Sequence, residues 1–458
     1  MVLILTLLQG ACSASEPEPT PVDPPLGEGE GEPGSPDPGQ GEGEGEGPVK
    51  PPDPDPPACV DRDLDGFGDH CERGLDCDDT DPRVNPDGLE VCNGIDDDCD
   101  VGVDESDPHL GADCDVEAGG CTWPGRFACV DGMRTCQAGS PVTPGLHPHI
   151  APMPVGWALA WLAPGNADPN ILQVVTAPLT DDGSLGAAGT RLTRSISLSA
   201  GPPVAVAAEG RVEAIYLGSP GRGSLDVHLM RARTDDQEPA SIAPLDPTDE
   251  FPDAWRPAVA GGAVAWWDGR SDPGGVRFRR VDAEEGDDGV TMAGGAAGWP
   301  HLAREGDDWL RMTFIRPPGE VRTMLFDETG GIIRAEHVVA TDEAPTRPAQ
   351  AAGVWVWLGE DGAVRMLNEA AGGDVETVDP FGMPDLDPAA VEVGGRPLIA
   401  WTRETFDGPE IVVWSPSTGE GARVLGPGAG PVVAIGEPGV ATVFDRGGLV
   451  HFAAGACP

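Results

Sequence analysis

Carboxylates alternate with other side chains over twelve residues of the chain, in the segment Asp-Arg-Asp-Leu-Asp-Gly-Phe-Gly-Asp-His-Cys-Glu. A calcium-binding loop of this length supplies oxygen ligands from positions 1, 3, 5, 7, 9 and 12, and glycine at position 6 allows its sharp turn. Gly66 occupies position 6. The ligand positions are occupied by Asp61, Asp63, Asp65, the carbonyl of Phe67, Asp69 and Glu72. The spacing therefore predicts a Ca²⁺ site built from hard oxygen ligands.

The residues on either side of this loop show no helical pattern, so an EF-hand pair is not expected. The loop is more similar to a thrombospondin-type calcium repeat that disulfides hold in place. This resemblance implies a small, disulfide-rich calcium-binding module.

A second acidic segment at residues 76–105 begins Asp-Cys-Asp-Asp, continues through Glu-Val-Cys-Asn-Gly-Ile-Asp-Asp-Asp-Cys-Asp, and ends Asp-Glu. It resembles the metal-binding repeat of the MopE family, and it departs from that pattern at residues 86–88 and at Val101, which displaces the glycine after Asp100 by one residue. Part of the segment also repeats the 1-3-5-9 ligand spacing of the first loop. The candidate ligands are Asp76, Asp78, Asp81, Asp96, Asp98, Asp100, Asp104 and Glu105.

Between Asp61 and Asp107 the chain has 18 acidic residues and three arginines. So many carboxylates repel one another strongly unless cations neutralise them. We therefore expect several bound Ca²⁺ ions, although copper or another metal, or a solvated acidic loop without metal, remain open. Copper is associated with the family name, but it prefers softer ligands than carboxylates.

Eleven cysteines are present, and the first, Cys12, follows an apolar stretch, Met1–Leu8, and the small residues Gly10 and Ala11. This start resembles a bacterial lipoprotein signal whose cysteine is lipidated, although no basic residue precedes the apolar stretch. An ordinary secretory signal and a chance apolar start are the alternatives. The remaining ten cysteines then form up to five disulfides in an oxidising compartment. They are Cys59, Cys71, Cys77, Cys92, Cys99, Cys114, Cys121, Cys129, Cys136 and Cys457.

Nine of these ten cysteines lie within 78 residues of one another, so Cys457 has to reach back to that part of the chain. Their pairing is not determined by the sequence. No paired Cys-x-x-Cys spacing occurs, which disfavours the competing interpretation as zinc ligands.

Low-complexity sequence and repeats divide the rest of the chain. Residues 13–57 are rich in Pro, Glu and Gly and predict a disordered tether after the signal segment, residues 1–12. The acidic metal-binding module covers residues 58–107, and residues 108–147 predict a disulfide-rich connector.

Residues 148–458 contain seven units that open on proline and usually continue to an apolar residue and alanine. An apolar, aromatic-rich strand, a turn and another strand follow each proline. The repeat predicts an all-β fold with a C-terminal seven-bladed β-propeller, with a β-sandwich pair or another solenoid as alternatives. We expect a strand before Pro148 to complete the last blade. The seven prolines are Pro148, Pro202, Pro257, Pro300, Pro348, Pro388 and Pro431.

The formal net charge of −50 argues against nucleic-acid binding, and no catalytic motif was found. We therefore expect a non-enzymatic, calcium-binding lipoprotein of the outer membrane or cell surface, or of the periplasm, that contacts the membrane only through its lipid anchor. Its propeller would bind an extracellular protein or polysaccharide. The alternatives are a propeller hydrolase or lyase that acts on extracellular polysaccharide, and a copper-capture protein.

Overall fold

The structure is a computed structural model. It describes residues 57–165, 172–186, 190–191, 203–208, 211–218, 227–233, 240–245, 257–268, 274–283, 289–295, 297–306, 308–383, 386–437 and 439–458. The predicted signal segment with Cys12, nearly all of the predicted tether, and Pro202 lie outside these residues. Residues from Ala58 onward form one compact unit. No helix in the described part of the chain is long and apolar enough to cross a membrane.

The described residues form antiparallel sheets and one single-turn 3-10 helix, Glu369–Ala371. Ahead of the repeats lie β1 (Asp113–Ala118), β2 (Cys121–Val130), β3 (Met133–Ala138) and β4 (Ser140–Pro144). The next two sheets comprise β5 (Leu146–Pro152), β6 (Trp157–Pro164), β7 (Leu172–Leu179) and β8 (Thr190–Arg191), then β9 (Val204–Ala208), β10 (Arg211–Gly218), β11 (Val227–Arg233) and β12 (Ala240–Leu245).

The following two sheets comprise β13 (Ala258–Ala260), β14 (Ala263–Asp268), β15 (Gly275–Arg280) and β16 (Val290–Ala293), then β17 (Gly298–Glu305), β18 (Trp309–Arg316), β19 (Glu320–Asp327) and β20 (Ile332–Thr341). The last strands are β21 (Thr346–Ala351), β22 (Val354–Leu358), β23 (Val364–Asn368), β24 (Val375–Asp379), β25 (Ala389–Val393), β26 (Arg396–Thr405), β27 (Gly408–Trp414), β28 (Arg423–Pro427), β29 (Ala429–Gly436), β30 (Gly439–Arg446) and β31 (Leu449–Gly455).

The second strands of the repeats are mainly apolar because a neighbouring sheet covers each of their faces, although β10 contains Glu213 and β18 contains Arg311. In β6 and β22 the apolar side chains are buried on both faces of the strand. The fourth strand lies at the edge, and most of β20 is accordingly exposed. Side-chain burial therefore decreases from the second strand of a sheet to the fourth. This decrease matches the packing of successive propeller sheets against one another.

The first strands of the repeat sheets surround a central axis. In chain order, β5, β9, β13, β17, β21, β25 and β29 each contact the next, and β29 contacts β5. The last sheet has the order β29-β30-β31-β4, so a strand from before Pro148 completes it, as predicted. The Cys121–Cys457 disulfide joins the same two parts of the chain.

The prediction of seven blades is wrong, because the described residues form eight sheets, seven of four strands and one of three. The additional sheet, β1-β2-β3, precedes the first repeat, and its first strand contains no proline, so the repeat pattern does not include it. Its Trp123 is fully buried in a hydrophobic cluster that also contains Leu398 and Phe444 of two later sheets. The same residues were predicted to be a disulfide-rich connector, since short strands with cysteines and turn glycines resemble a disulfide knot.

A β-bulge recurs where the chain enters four of the first strands. The pairing register shifts near the start of β5, β17, β21 and β29. The residue before the repeat proline adopts the left-handed conformation there, with φ of 50° at His147, 48° at Trp299, 51° at Arg347 and 63° at Gly430. A bulge redirects the side chains at the end of a strand. These bulges therefore determine the directions of the side chains at one end of the central axis.

Candidate metal centre

The two acidic loops, residues 61–66 and residues 96–101, fold in the same way. In the first loop the sixth amide, of Gly66, donates to Asp61 Oδ2 at 2.9 Å. In the second loop the sixth amide, of Val101, donates to Asp96 Oδ2 at 3.0 Å. Aspartate side chains commonly accept from amides a few residues ahead and thereby curl the chain around themselves. The repeated Asp-x-Asp-x-Asp spacing therefore produces a repeated backbone.

The two acidic loops also share a hydrogen bond between their third and fifth residues. Asp63 Oδ1 accepts from the Asp65 amide at 3.3 Å, and Asp98 Oδ1 accepts from the Asp100 amide at 3.3 Å. In both loops the fourth and sixth residues have positive φ, which are Leu64 (71°), Gly66 (100°), Cys99 (56°) and Val101 (84°). Val101 therefore occupies a position where the first loop has glycine.

Carboxylates from the first loop meet carboxylates from the beginning of the second acidic segment. The groups Asp61, Asp63 and Asp79, and Asp63, Asp65 and Asp76, each bring three carboxylate oxygens within 4.8 Å of one another. We call these five aspartates the first cluster. Asp65 Oδ2 accepts from Asn85 Nδ2 at 2.7 Å, and Asp79 Oδ1 accepts from the Arg62 amide at 3.0 Å. Asp79 Oδ2 also lies 3.6 Å from Arg62 Nε, and most of the remaining oxygens accept from backbone amides.

Two oxygens of the first cluster, Asp63 Oδ2 and Asp76 Oδ2, are buried and have no hydrogen-bond partner. Burial and then the neighbouring carboxylates raise the pKa of Asp63 and of Asp76. A buried carboxylate oxygen without a donor is costly. Both observations fit a position that a cation would occupy.

A second cluster consists of Glu90, Asp98 and Glu105, whose carboxylate oxygens also lie within 4.8 Å of one another. Glu90 is buried and accepts from the amides of Asp97 and Asp98 at 2.6 and 3.0 Å and of Asp104 at 2.8 Å. This carboxylate therefore holds the second loop against the residues that follow it.

The structure brings some of the sequence-predicted ligands together and places others elsewhere. The predicted ligands that belong to the two clusters are Asp61, Asp63, Asp65, Asp76, Asp98 and Glu105. Asp96 and Asp100 accept from amides of their own loop, at 3.0 Å from Val101 and 2.9 Å from Gly102.

The other predicted ligands have different local roles. Asp69 and Glu72 are exposed. Asp78 accepts from the Thr80 hydroxyl at 2.6 Å, and Asp81 accepts from the Arg83 amide at 3.2 Å. Asp104 is buried and accepts from the amides of Asn93 and Gly94. Phe67 is buried beneath the Arg73 guanidinium, 4.2 Å from its ring centroid.

Sequence reasoning did not select Asp79, Glu90 or Asp107. Asp79 and Glu90 belong to the quoted Asp-Cys-Asp-Asp and Glu-x-Cys patterns, so the signal was available in the resemblance. Asp107 is buried, and hydrogen bonds from the His109 amide and the Arg134 guanidinium hold its pKa far below its usual range. Because Arg134 lies on β3, Asp107 attaches the acidic module to the three-stranded sheet.

All ten cysteines of the described chain form disulfides, which confirms the predicted full pairing. Cys457 reaches back to the N-terminal part, as expected. The pairs are Cys59–Cys71, Cys77–Cys99, Cys92–Cys129, Cys114–Cys136 and Cys121–Cys457.

Residues 76–105 match the family model Cu-binding MopE, described as "Putative metal-binding motif". The chain carries a MopE-type metal-binding motif. The motif includes Asp76, Asp79 and the whole second cluster, whereas the first loop lies outside it. No curated protein matches the chain.

Comparison with solved structures gives similarity at low sequence identity. A chain of the mitotic checkpoint complex has 13% identity and a TM-score of 0.42, with 69% of this chain and 94% of that chain covered. BamB from Moraxella catarrhalis has 11% identity and a TM-score of 0.39, with 69% and 97% covered. A Trypanosoma rangeli sialidase in complex with the inhibitor DANA has 11% identity and a TM-score of 0.35, with 75% and 60% covered. No function is transferred from these similarities.

Proposed function

We propose that the MopE-type motif and the loop before it bind Ca²⁺, and that the ions stabilise the fold of the acidic module. The observation that carries this proposal is the pair of buried oxygens, Asp63 Oδ2 and Asp76 Oδ2, that have no hydrogen-bond donor. They belong to a cluster of five aspartates. Arg62, 3.6 Å from Asp79, offsets only one of these five charges. A divalent cation would supply further positive charge to the cluster.

The donor set favours calcium over copper. The two clusters consist of carboxylate oxygens, and the ten cysteines of the described chain are bonded to one another, so none supplies a thiolate. Carboxylate oxygens suit calcium, whereas copper binds better to thiolate, thioether and imidazole ligands. An affinity of about 10⁻⁴–10⁻³ M would be typical of an extracellular calcium site.

Calorimetry of the full chain tests this proposal. After chelation, 10 mM calcium should stabilise the folded protein by about 1–3 kcal/mol per site if the affinity lies in that range. Asp63→Asn should remove most of the calcium-dependent stabilisation that arises at the first cluster, because Asp63 belongs to both groups of three carboxylates in that cluster. Asp115→Asn is the matched control, since Asp115 is exposed on β1 and belongs to neither cluster. A melting curve that chelation leaves unchanged would refute calcium stabilisation, and tighter binding of copper than of calcium would refute the choice of metal.

We further propose that the protein is exported, anchored through a lipid on Cys12, and that its propeller is a non-enzymatic binding domain for an extracellular protein or polysaccharide. Five disulfides support an oxidising compartment. Mass spectrometry of the mature protein should find an acylated N-terminal cysteine at Cys12. An unmodified Cys12 on the mature chain would exclude the anchor while leaving the calcium proposal intact.

A further inference from the structure

The first strands of the repeat sheets enclose a cavity of about 1190 Å³. Its walls are mainly proline, alanine, valine and glycine, which are small and offer few polar contacts. The volume is somewhat larger than the roughly 300–1,000 Å³ that is usual for small-molecule sites. A ligand inside this cavity would therefore be recognised chiefly by the few polar and aromatic side chains that line it.

Four such side chains come from three consecutive sheets, at the end of the cavity where the first strands begin. We call them the mouth cluster, and they are Trp299, His301, Arg347 and Asp387. Trp299 and Arg347 are the left-handed residues of the bulges described above. Strained backbone of this kind is concentrated at binding and catalytic sites, where the surrounding structure holds it.

The charges of the mouth cluster balance. An Arg347 guanidinium nitrogen donates to Asp387 Oδ1 at 2.7 Å, and the two side chains are 11% and 26% exposed. Burial lowers the pKa of His301 to about 4, against a weaker opposing effect of Asp387, so this imidazole is neutral at pH 7. A ligand with a net charge of either sign would meet a like charge of this pair.

Unused hydrogen-bonding atoms and an aromatic surface accompany the ion pair. His301 Nδ1 and Trp299 Nε1 are buried without a partner, and Trp299 as a whole is only partly buried while lining the cavity. Hydroxyl groups both donate and accept hydrogen bonds, and they match a neutral imidazole, a guanidinium and a carboxylate placed together. The apolar face of a sugar ring, in turn, packs against an indole.

We propose that the mouth of this cavity binds a neutral oligosaccharide, with Trp299 stacking on a sugar ring and the Arg347–Asp387 pair contacting its hydroxyl groups. The inference rests on the proposed role of the propeller as a binding domain, and it selects polysaccharide over protein as the ligand.

Binding of maltotetraose, cellotetraose and mannotetraose to the calcium-loaded full chain tests this, measured by calorimetry and by tryptophan fluorescence. At least one of them should bind in preference to an acidic oligogalacturonate of the same length. Asp387→Asn and Trp299→Phe should each weaken that binding at least tenfold. Asp361→Asn is the matched control, because Asp361 also pairs with an arginine, Arg365, at 2.8 Å, but lies outside the cavity lining.

Failure to bind any of the three neutral probes would overturn the inference, provided that the melting curve shows a folded protein. Stronger binding of oligogalacturonate, or equal binding by the control and both mouth variants, would also overturn it. A protein ligand captured by the same propeller without sugar binding would retain the proposed binding role and remove only the oligosaccharide. The phenylalanine variant keeps an aromatic ring in the bulge, so it remains informative if Asp387→Asn does not fold.

Discussion

Cys77 and Cys99 are bonded to each other, and each lies directly beside a carboxylate of a different candidate cation cluster. Cys77 follows Asp76 of the first cluster, and Cys99 follows Asp98 of the second. The Cys77 amide also donates toward Cys99 Sγ at 3.3 Å. The disulfide therefore connects the two clusters through one covalent link.

Removal of this link should weaken calcium binding at both clusters. We expect the double variant Cys77→Ser with Cys99→Ser to lose at least tenfold in calcium affinity by calorimetric titration. The double variant of Cys114 and Cys136 is a matched control, because both disulfides have a sequence separation of 22. Each constrains the unfolded chain by about 3 kcal/mol, so equal losses of calcium affinity in the two variants would contradict the connection.

Replacement of Val101 by glycine should stabilise the protein by about 1 kcal/mol, because a side chain with a Cβ is disfavoured in the left-handed region. Val101 has a φ of 84° and is 92% exposed, so the substitution removes almost no packing. Chemical denaturation measures the effect. The control Val103→Gly, at a 54% exposed position outside the left-handed region, should destabilise slightly. Stabilisation by both variants, or by neither, would argue against a conformational origin.

His451 should make stability fall as the solution becomes acidic. It is 6% exposed, it stacks on Phe444 with 5.5 Å between centroids, and burial followed by the nearby Arg446 charge lowers its pKa to about 4. Its pKa in an unfolded chain is about 6.5. Between pH 6.5 and pH 4 the unfolded chain binds a proton at this histidine and the folded chain does not. The contribution of His451 to the free energy of unfolding is therefore fully present above pH 6.5 and decreases as the pH falls toward 4.

His451→Gln should lack this part of the pH dependence, which corresponds to ~3 kcal/mol. Denaturant unfolding at pH 7 and pH 4.5 gives the comparison, with the exposed His337→Gln as the control. A pH dependence that is the same in wild type and in both variants would place its origin in other groups.

Trp123→Ala should cost about 3–5 kcal/mol, because the fully buried indole joins the three-stranded sheet to two repeat sheets. Its Nε1 also donates to the Ala118 carbonyl at 3.1 Å. The control Trp309→Ala removes an indole that is 45% exposed and should cost clearly less. If Trp123→Ala and Trp309→Ala lowered the free energy of unfolding equally, the three-stranded sheet would be only loosely attached to the repeat sheets.

Local spacing in the sequence predicted the features that arise from neighbouring residues. An aspartate accepts from amides a few positions ahead, so the Asp-x-Asp-x-Asp pattern was enough to predict two loops near Asp61 and Asp96. The apolar runs after each repeat proline likewise predicted strands, because strand formation and burial depend on the alternation and length of apolar segments along the chain.

The sequence by itself determined that the chain is all-β, that ten cysteines pair, and that carboxylates dominate one short module. Only the tertiary structure decided that Asp76 and Asp79 return to the first loop, that Cys121 bonds to Cys457, and that a sheet before the repeats makes the total eight. Those outcomes depend on contacts between distant segments. The sequence predicted that Cys457 returns to the N-terminal part and that a strand before Pro148 completes the last blade, but residue spacing did not identify the individual partners. The energy that selects them comes from shared burial, as of Trp123 between sheets.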